Sequence, residues 1–386
     1  YIDIEDWDKA QDLLEKERAK DPRSPYYFHN RGVIELALGR YDAAQRLWQE
    51  FLRTVRDDSQ VRRNLSFLYI YEQDYDRAIQ EAEKAEALSL GDLGNALLRG
   101  DLNLYMGEFT KAQNEFGKLV LSEDPTYRLI GQIRLMMSAM VMGKNGLFKS
   151  WHDEARAFVE ETGQLTQEMP LRYFYGHLLL RASDLHGALG EFEVLYQRAI
   201  AVENPYFQRQ ALLGKGLALL ALGRLGEAGK IADLLENNCN SSPNKKILRY
   251  YLLLSGLIDL ESKALSLAVK KLERALSLMP SEHKIMSGED HALFLNAMGR
   301  AYYMNGDYKN AAKAYQEIMG LTSGRLGFGD LYVKSFLHMG QVLEQLNDKA
   351  GAAHNYYKFL ELWRDADLDH SEIAFAKKRI AALNGN

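Results

Sequence analysis

Arg31-Gly32-Val33-Ile34-Glu35-Leu36-Ala37-Leu38-Gly39-Arg40-Tyr41-Asp42-Ala43-Ala44 sets small residues at offsets 0, +7 and +12, counting from Gly32. Nearly the same triplet returns eight more times. The copies are Ser66/Gln73/Ala78, Gly100/Gly107/Ala112, Met136/Gly143/Phe148, Gly176/Ser183/Ala188, Gly216/Gly223/Ala228, Gly256/Lys263/Ala268, Gly299/Gly306/Ala311 and Gly340/Asn347/Ala352. The first three copies are spaced by 34 residues and later ones by about 40, a period that marks a stacked repeat array in which each unit packs on its neighbours.

Within a copy the first half reads as an apolar helix (helix A) carrying the initial small residue. The second half (helix B) is apolar at helical spacing, as in Ala44, Leu47, Trp48 and Phe51 or Ala311, Ala314, Tyr315 and Ile318. Two antiparallel helices per copy follow. Gly39-Arg40-Tyr41-Asp42 and Gly306-Asp307-Tyr308-Lys309 place glycine where a helix must end with positive φ, and an aromatic then anchors the next helix. Helices approach closely only where one presents a small residue and the other a knob. The knob at +16 is Trp48, Phe116, Phe192, Leu272, Tyr315 or Tyr356, whereas Ala82 and Ala232 need compensation from neighbours.

This pattern closely resembles the tetratricopeptide repeat family over residues 25 to 360, and Ala275-Leu276-Ser277-Leu278-Met279-Pro280 matches that family's repeat ending. The resemblance implies an all-α fold: a right-handed α-solenoid of about nine helix hairpins with an N-terminal half-repeat and a C-terminal capping helix. On this reading the solenoid spans 1–370, with the half-repeat at 1–22, an irregular fourth unit at about 127–168 and longer-period repeats from about 169. The cap is 371–386. In the fourth unit Phe148 replaces the small residue and Gly146 falls two places earlier, so its geometry is expected to depart from the rest. The chain opens at Tyr1, and Asp6 to Pro22 reads as a B helix lacking its A helix, so the array is expected to continue upstream. Links after helix B lengthen at Asn237 to Lys246, Ser281 to Asp290 and Thr322 to Asp330, and Cys239 is read as a loop residue in the first of these.

Composition bounds the functional classes. Net charge −5 and a pI near 6.1 give no global attraction to nucleic acid or anionic lipid, so neither is expected as a partner. The most apolar stretches are too short or interrupted to span a bilayer, which needs about 20 apolar residues, and no signal peptide is visible. A cytoplasmic location is expected, or an extracytoplasmic one if an upstream membrane anchor exists. One cysteine makes no internal disulfide or cysteine metal cluster, and the nine histidines form no ligand-spaced pair; His283 and His291 stand eight apart across a loop. Gly324-Arg325-Leu326-Gly327-Phe328-Gly329-Asp330 lacks the Lys-Ser/Thr of a phosphate-gripping loop and reads as a helix entry. No nucleophile, base and oxyanion set assembles by spacing. No catalytic residue, cofactor or metal ligand is assigned, and the chain is read as non-catalytic.

A surface remains. In the tetratricopeptide family the A helices line the concave face, and carrying that register onto this chain gives a candidate peptide-binding groove of His29, Asn30, Arg63, Asn64, Phe67, Tyr71, Asp101, Tyr105, Arg134, Tyr173, His177, Arg181, Asn296, Arg300 and Tyr303. Aromatics interleaved with Asn and Arg suit a protein or extended peptide segment. The family's dicarboxylate clamp for chaperone tails is missing, because Val33 and Leu97 stand where it wants polar groups. Arg63 and Tyr71 are expected to serve the partner alone, so that replacing both leaves the unfolding midpoint unchanged. The stretch from Thr322 to Asp367 resembles the C-terminal end of repeat regions in bacterial multidomain signalling proteins of the serine/threonine kinase or adenylyl cyclase type. Three functions follow as expectations: a scaffold or sensor module that recruits or regulates a signalling effector, the C-terminal regulatory part of such a kinase or cyclase, or a regulator that senses a ligand or signalling peptide.

Overall fold

The computed structural model describes residues 7–163, 168–280, 290–367 and 371–384. The long link at 281–289, with His283, and the ends of the expected half-repeat and cap lie outside them. Among the described residues the regular structure is helical: twenty α-helices and two short 3₁₀ helices.

Helix α1 (Trp7–Lys20) precedes nine hairpins: α2 (Pro25–Ala37) with α3 (Tyr41–Thr54), α4 (Ser59–Tyr71) with α5 (Tyr75–Leu88), α6 (Leu93–Tyr105) with α7 (Phe109–Val120), α8 (Pro125–Val141) with α9 (Asn145–Thr162), α10 (Glu168–Arg181) with α11 (Leu185–Ala201), α12 (Pro205–Ala221) with α13 (Leu225–Asn240), α14 (Arg249–Glu261) with α15 (Leu265–Ser277), α16 (His291–Met304) with α17 (Tyr308–Gly320), and α18 (Gly329–Gln345) with α19 (Lys349–Leu362). Helix α20 (Ser371–Asn384) follows. The chain forms two compact units, one of Tyr1–Ser138 with Pro280–Glu289 and Thr322–Gly324, the other of Ala139–Met279, Asp290–Leu321 and Arg325–Asn386.

One turn makes all nine hairpins. The +7 residue is left-handed every time: Gly39, Gly107, Gly143, Gly223 and Gly306, but also Gln73, Ser183, Lys263 and Asn347, with φ between 58° and 81°. Its N–H bonds the carbonyl at +4, and the next N–H bonds the carbonyl at +3, as in Gly39 to Leu36 and Arg40 to Glu35 or Lys263 to Leu260 and Ala264 to Asp259. That pair of hydrogen bonds satisfies the last carbonyls of helix A while reversing the chain. The fourth hairpin keeps it, through Gly143 to Met140 and Lys144 to Ala139.

The offset-0 and +12 residues are the close contacts. A Cβ on Gly176 would lie 2.7 Å from the Phe192 ring, and one on Gly299 2.7 Å from Tyr315. Gly32, Gly100, Gly256 and Gly340 meet Trp48, Phe116, Leu272 and Tyr356 in the same way. The alanines at +12 are fully buried. Where the +16 knob is Ala232, Leu254 of the next A helix fills the space over Gly216 instead. Where it is Ala82, Ser66 supplies its own bulk and donates to the Ala78 carbonyl at 2.7 Å. In the fourth hairpin Met136 and Phe148 are both buried, so two large side chains replace two small ones.

Cys239 departs from the sequence reading. Helix α13 extends to Asn240, and the Cys239 thiol is buried, donating to the Ile247 carbonyl at 3.3 Å. Burial pushes it up to about 11, so it stays a protonated, apolar-facing group. The apolar side of α13 is one turn longer than the asparagine-rich sequence suggests, and the link that follows is closed by a 3₁₀ helix at Lys245–Leu248.

Two stability outcomes follow. Lys263→Gly removes the cost of a left-handed non-glycine residue and raises stability by about 1 kcal/mol. Gly216→Leu drives a side chain into Leu254 and lowers stability by about 1–3 kcal/mol. Denaturant midpoints of the two variants against the parent check both signs.

Candidate recognition surface on the A helices

The predicted groove residues divide between the two units. In the N-terminal unit most are engaged with the neighbouring A helix. The Asn64 amide nitrogen lies 2.7 Å from His29 Nδ1, tying α4 to α2, and Gln60 donates to Asn64 Oδ1 at 3.1 Å. Burial holds the His29 imidazole below its ordinary range. Arg63 donates to Asp92 and Asn95 on the α6 side, both at 2.9 Å, and also to Gln60 and Ser59. Asp92 is itself the N-cap of α6, accepting from the Gly94 N–H at 2.7 Å. Asp101 is buried on α6, and the Arg134 guanidinium from α8 lies 2.8 Å from it. Burial raises the Asp101 carboxyl above the usual carboxylate range, with Arg134 opposing the shift.

These pairs form a polar ladder between consecutive A helices. A buried carboxylate or guanidinium is tolerable only with such a partner, so the ladder also fixes the spacing of the A helices. It continues in the C-terminal unit, where Arg300 on α16 donates to Glu261 on α14 at 2.9 Å and Arg379 on α20 pairs with Glu344 on α18. Helix α20 therefore takes the place of a further A helix in the ladder. Tyr303 lines a cleft of about 320 Å³ beside that last pair, with Gln341 and Phe375.

Aromatic residues stand between the rungs. Phe67 and Tyr71, one turn apart on α4, are half-buried, and Tyr105 occupies on α6 the register of Tyr71 and is buried. Asn30 donates to the Tyr26 carbonyl at 2.9 Å and lines a cleft of about 400 Å³ with Leu13, Leu14 and Tyr26 between α1 and α2.

In the C-terminal unit the face is more closed. Leu213, Leu253 and Leu257 are buried on α12 and α14 in one apolar cluster. His177 is buried among Tyr173, Phe192 and Phe328, with ring centroids 4.6–5.1 Å away, and burial drives its imidazole down to about 3. Arg181 is 3.7 Å from Asp330 and 5.7 Å from the centre of the Phe148 ring, and burial lowers its guanidinium. Asn296 is half-buried on α16, its Oδ1 without a hydrogen-bond partner.

The expectation that Arg63 serves a partner alone does not hold, because its guanidinium is spent on four acceptors within the N-terminal unit. Sequence reading missed Asp92 and Asn95 as those acceptors. The capping signal Asp92 before the α6 apolar run was available in the sequence, but its second use by Arg63 depends on how neighbouring hairpins stack.

The fold and its A face define a class: a stack of helix hairpins that presents an aromatic and polar surface. The tetratricopeptide repeat family model matches residues 1–44, 29–92 and 176–243 of the chain. No curated protein matches the chain. Among solved structures, a Rap protein complexed with competence and sporulation factor is similar over 92% of this chain and 98% of that one, at 14% identity and a TM-score of 0.53. A tetratricopeptide repeat protein from Parabacteroides merdae ATCC 43184 aligns over 85% of this chain and 99% of that one, at 12% identity and a TM-score of 0.38. At such identities the Rap likeness speaks to the fold alone. Among the described residues no helix is long and apolar enough to cross a membrane.

His177 gives a pH test. With a folded value of about 3 against an unfolded value near 6.5, the unfolded chain takes up a proton the folded chain refuses as the pH falls through this window. Stability is therefore lost below about pH 6.5. His177→Phe removes that loss, so the gap between stability at pH 8 and at pH 5 shrinks by about 2 kcal/mol, read from denaturant unfolding at both pH values.

Proposed function

We propose that this chain is a non-catalytic recognition scaffold that takes a protein or an extended peptide on the A-helix face of its N-terminal unit. The observation behind this reading is the half-buried aromatic pair Phe67 and Tyr71, held on a helix whose neighbouring polar residues are already fixed in the ladder. Aromatic side chains on a rigid backbone give contact area at small entropic cost. The polar rungs set the width of the surface. The middle A helices of the C-terminal unit carry the buried leucines Leu213 and Leu253 in the register of Arg63 and serve as frame. Nucleic acid is not the partner on this reading, in line with the net negative charge, and the chain acts in the cytoplasm.

The finer role is regulation: binding on this face recruits or controls a signalling effector, whether a separate protein or an attached kinase or cyclase domain. A second reading, a regulator that senses a signalling ligand, draws on the fold likeness to the Rap protein complexed with competence and sporulation factor.

The test is selection of a displayed peptide library on the purified chain, followed by affinity measurement on a Phe67→Ala/Tyr71→Ala variant. Loss of aromatic anchors of this kind costs about 2 kcal/mol, so selected peptides bind the variant about 30-fold more weakly while its unfolding free energy stays within about 1 kcal/mol of the parent. Peptides that bind both proteins equally would move the site elsewhere.

A further inference from the structure

The C-terminal unit closes on itself across more than two hundred residues of sequence. Trp363, just past the end of α19, is buried and donates its indole N–H to the Val141 carbonyl at 3.0 Å. Four residues later the Asp367 carboxylate accepts from the backbone N–H groups of Asn145 and Gly146, at 2.9 and 2.7 Å. Those are the first N–H groups of α9, and the helix's own N-cap, Lys144, provides no side-chain bond to them. Helix α9 is thus capped from 222 residues away. A carboxylate there meets both unsatisfied donors and the positive end of the helix dipole.

The turn is shaped for this contact. A Cβ on Gly143 would lie 2.9 Å from Ala366 Cβ and 3.3 Å from the indole, and one on Gly146 would lie 3.0 Å from the Asp367 carboxylate. The segment that fills the turn lies outside any helix, and Arg364 and Asp365 between the two anchors are exposed. Three contacts therefore hold it: the indole N–H on the Val141 carbonyl, the Asp367 carboxylate on the N-terminus of α9, and the Asp367 backbone N–H, which donates to the Gly143 carbonyl at 3.3 Å.

We propose that the α8–α9 turn is a peptide-binding site, separate from the A-helix face of the N-terminal unit, and that Trp363–Asp367 occupies it as an intramolecular ligand. A free segment with an indole four residues before a carboxylate fits the same donors and acceptor. When such a segment displaces the chain's own, the contact between Trp363–Asp367 and the α8–α9 turn opens. In the parent protein the tethered segment acts at an effective concentration on the order of millimolar, which keeps weak free peptides out.

Amide hydrogen exchange at Asn145 and Gly146 reads the occupancy directly. Asp367→Ala speeds exchange at these two amides about tenfold, whereas Asp365→Ala, a change at an exposed neighbour, leaves them as in the parent. Adding a synthetic peptide of residues 359–367 to a Trp363→Ala/Asp367→Ala protein restores slow exchange. The same peptide with alanine at both anchor positions does not. If loss of the indole unfolds the unit, the Asp367→Ala protein carries the same peptide comparison. Parent-like exchange in Asp367→Ala, or no slowing by the peptide, overturns the proposal.

Discussion

Everything in this protein depends on one residue per hairpin entering the left-handed region seven positions after the small residue of helix A. That conformation delivers two backbone bonds to the last turn of helix A and reverses the chain within three residues, so helix B returns at a distance set by the small residue and its knob. Five glycines adopt it at no steric cost, whereas Gln73, Ser183, Lys263 and Asn347 adopt it because the packing on both sides leaves no alternative. Turn geometry is thus the invariant, and residue identity bends to it.

Once the hairpins are fixed, the faces left over divide into jobs. Polar residues on successive A helices meet each other: Asn64 with His29, Arg63 with Asp92 and Asn95, Arg134 with Asp101, Arg300 with Glu261 and Arg379 with Glu344. Such pairs do little for net stability, yet leaving a buried member such as Asp101 alone is costly, so the buried pairs set register between hairpins. Between the rungs stand aromatic side chains, Phe67 and Tyr71 among them, half-buried on the same face of α4.

Much of the fold was legible because packing between small and large residues leaves a periodic trace. The nine triplets gave the hairpins, the turns and most of the knobs. The partners of the knobless copies were not legible, since Leu254 over Gly216 belongs to the next repeat and no intra-repeat spacing points to it. Cys239 was misread for a related reason: a helix end rich in asparagine looks like a loop until its one apolar side is seen against Ile247. In the fourth hairpin Gly146 looked like a displaced packing residue, but it makes room for Asp367. The candidate surface was legible as a stripe and not residue by residue, because the stripe follows from helix periodicity while the pairing of Arg63 or Asp101 follows from stacking.

The central claim is that the A face of the N-terminal unit is where a partner lies. The most direct measurement is photo-crosslinking with a bound peptide carrying a diazirine side chain, followed by mapping of the adducts. The account predicts adducts on α4 and α6, at Phe67, Tyr71 and neighbouring A-face residues. Adducts confined to exposed side chains at the B-helix ends, such as Leu88 or Leu121, would contradict it.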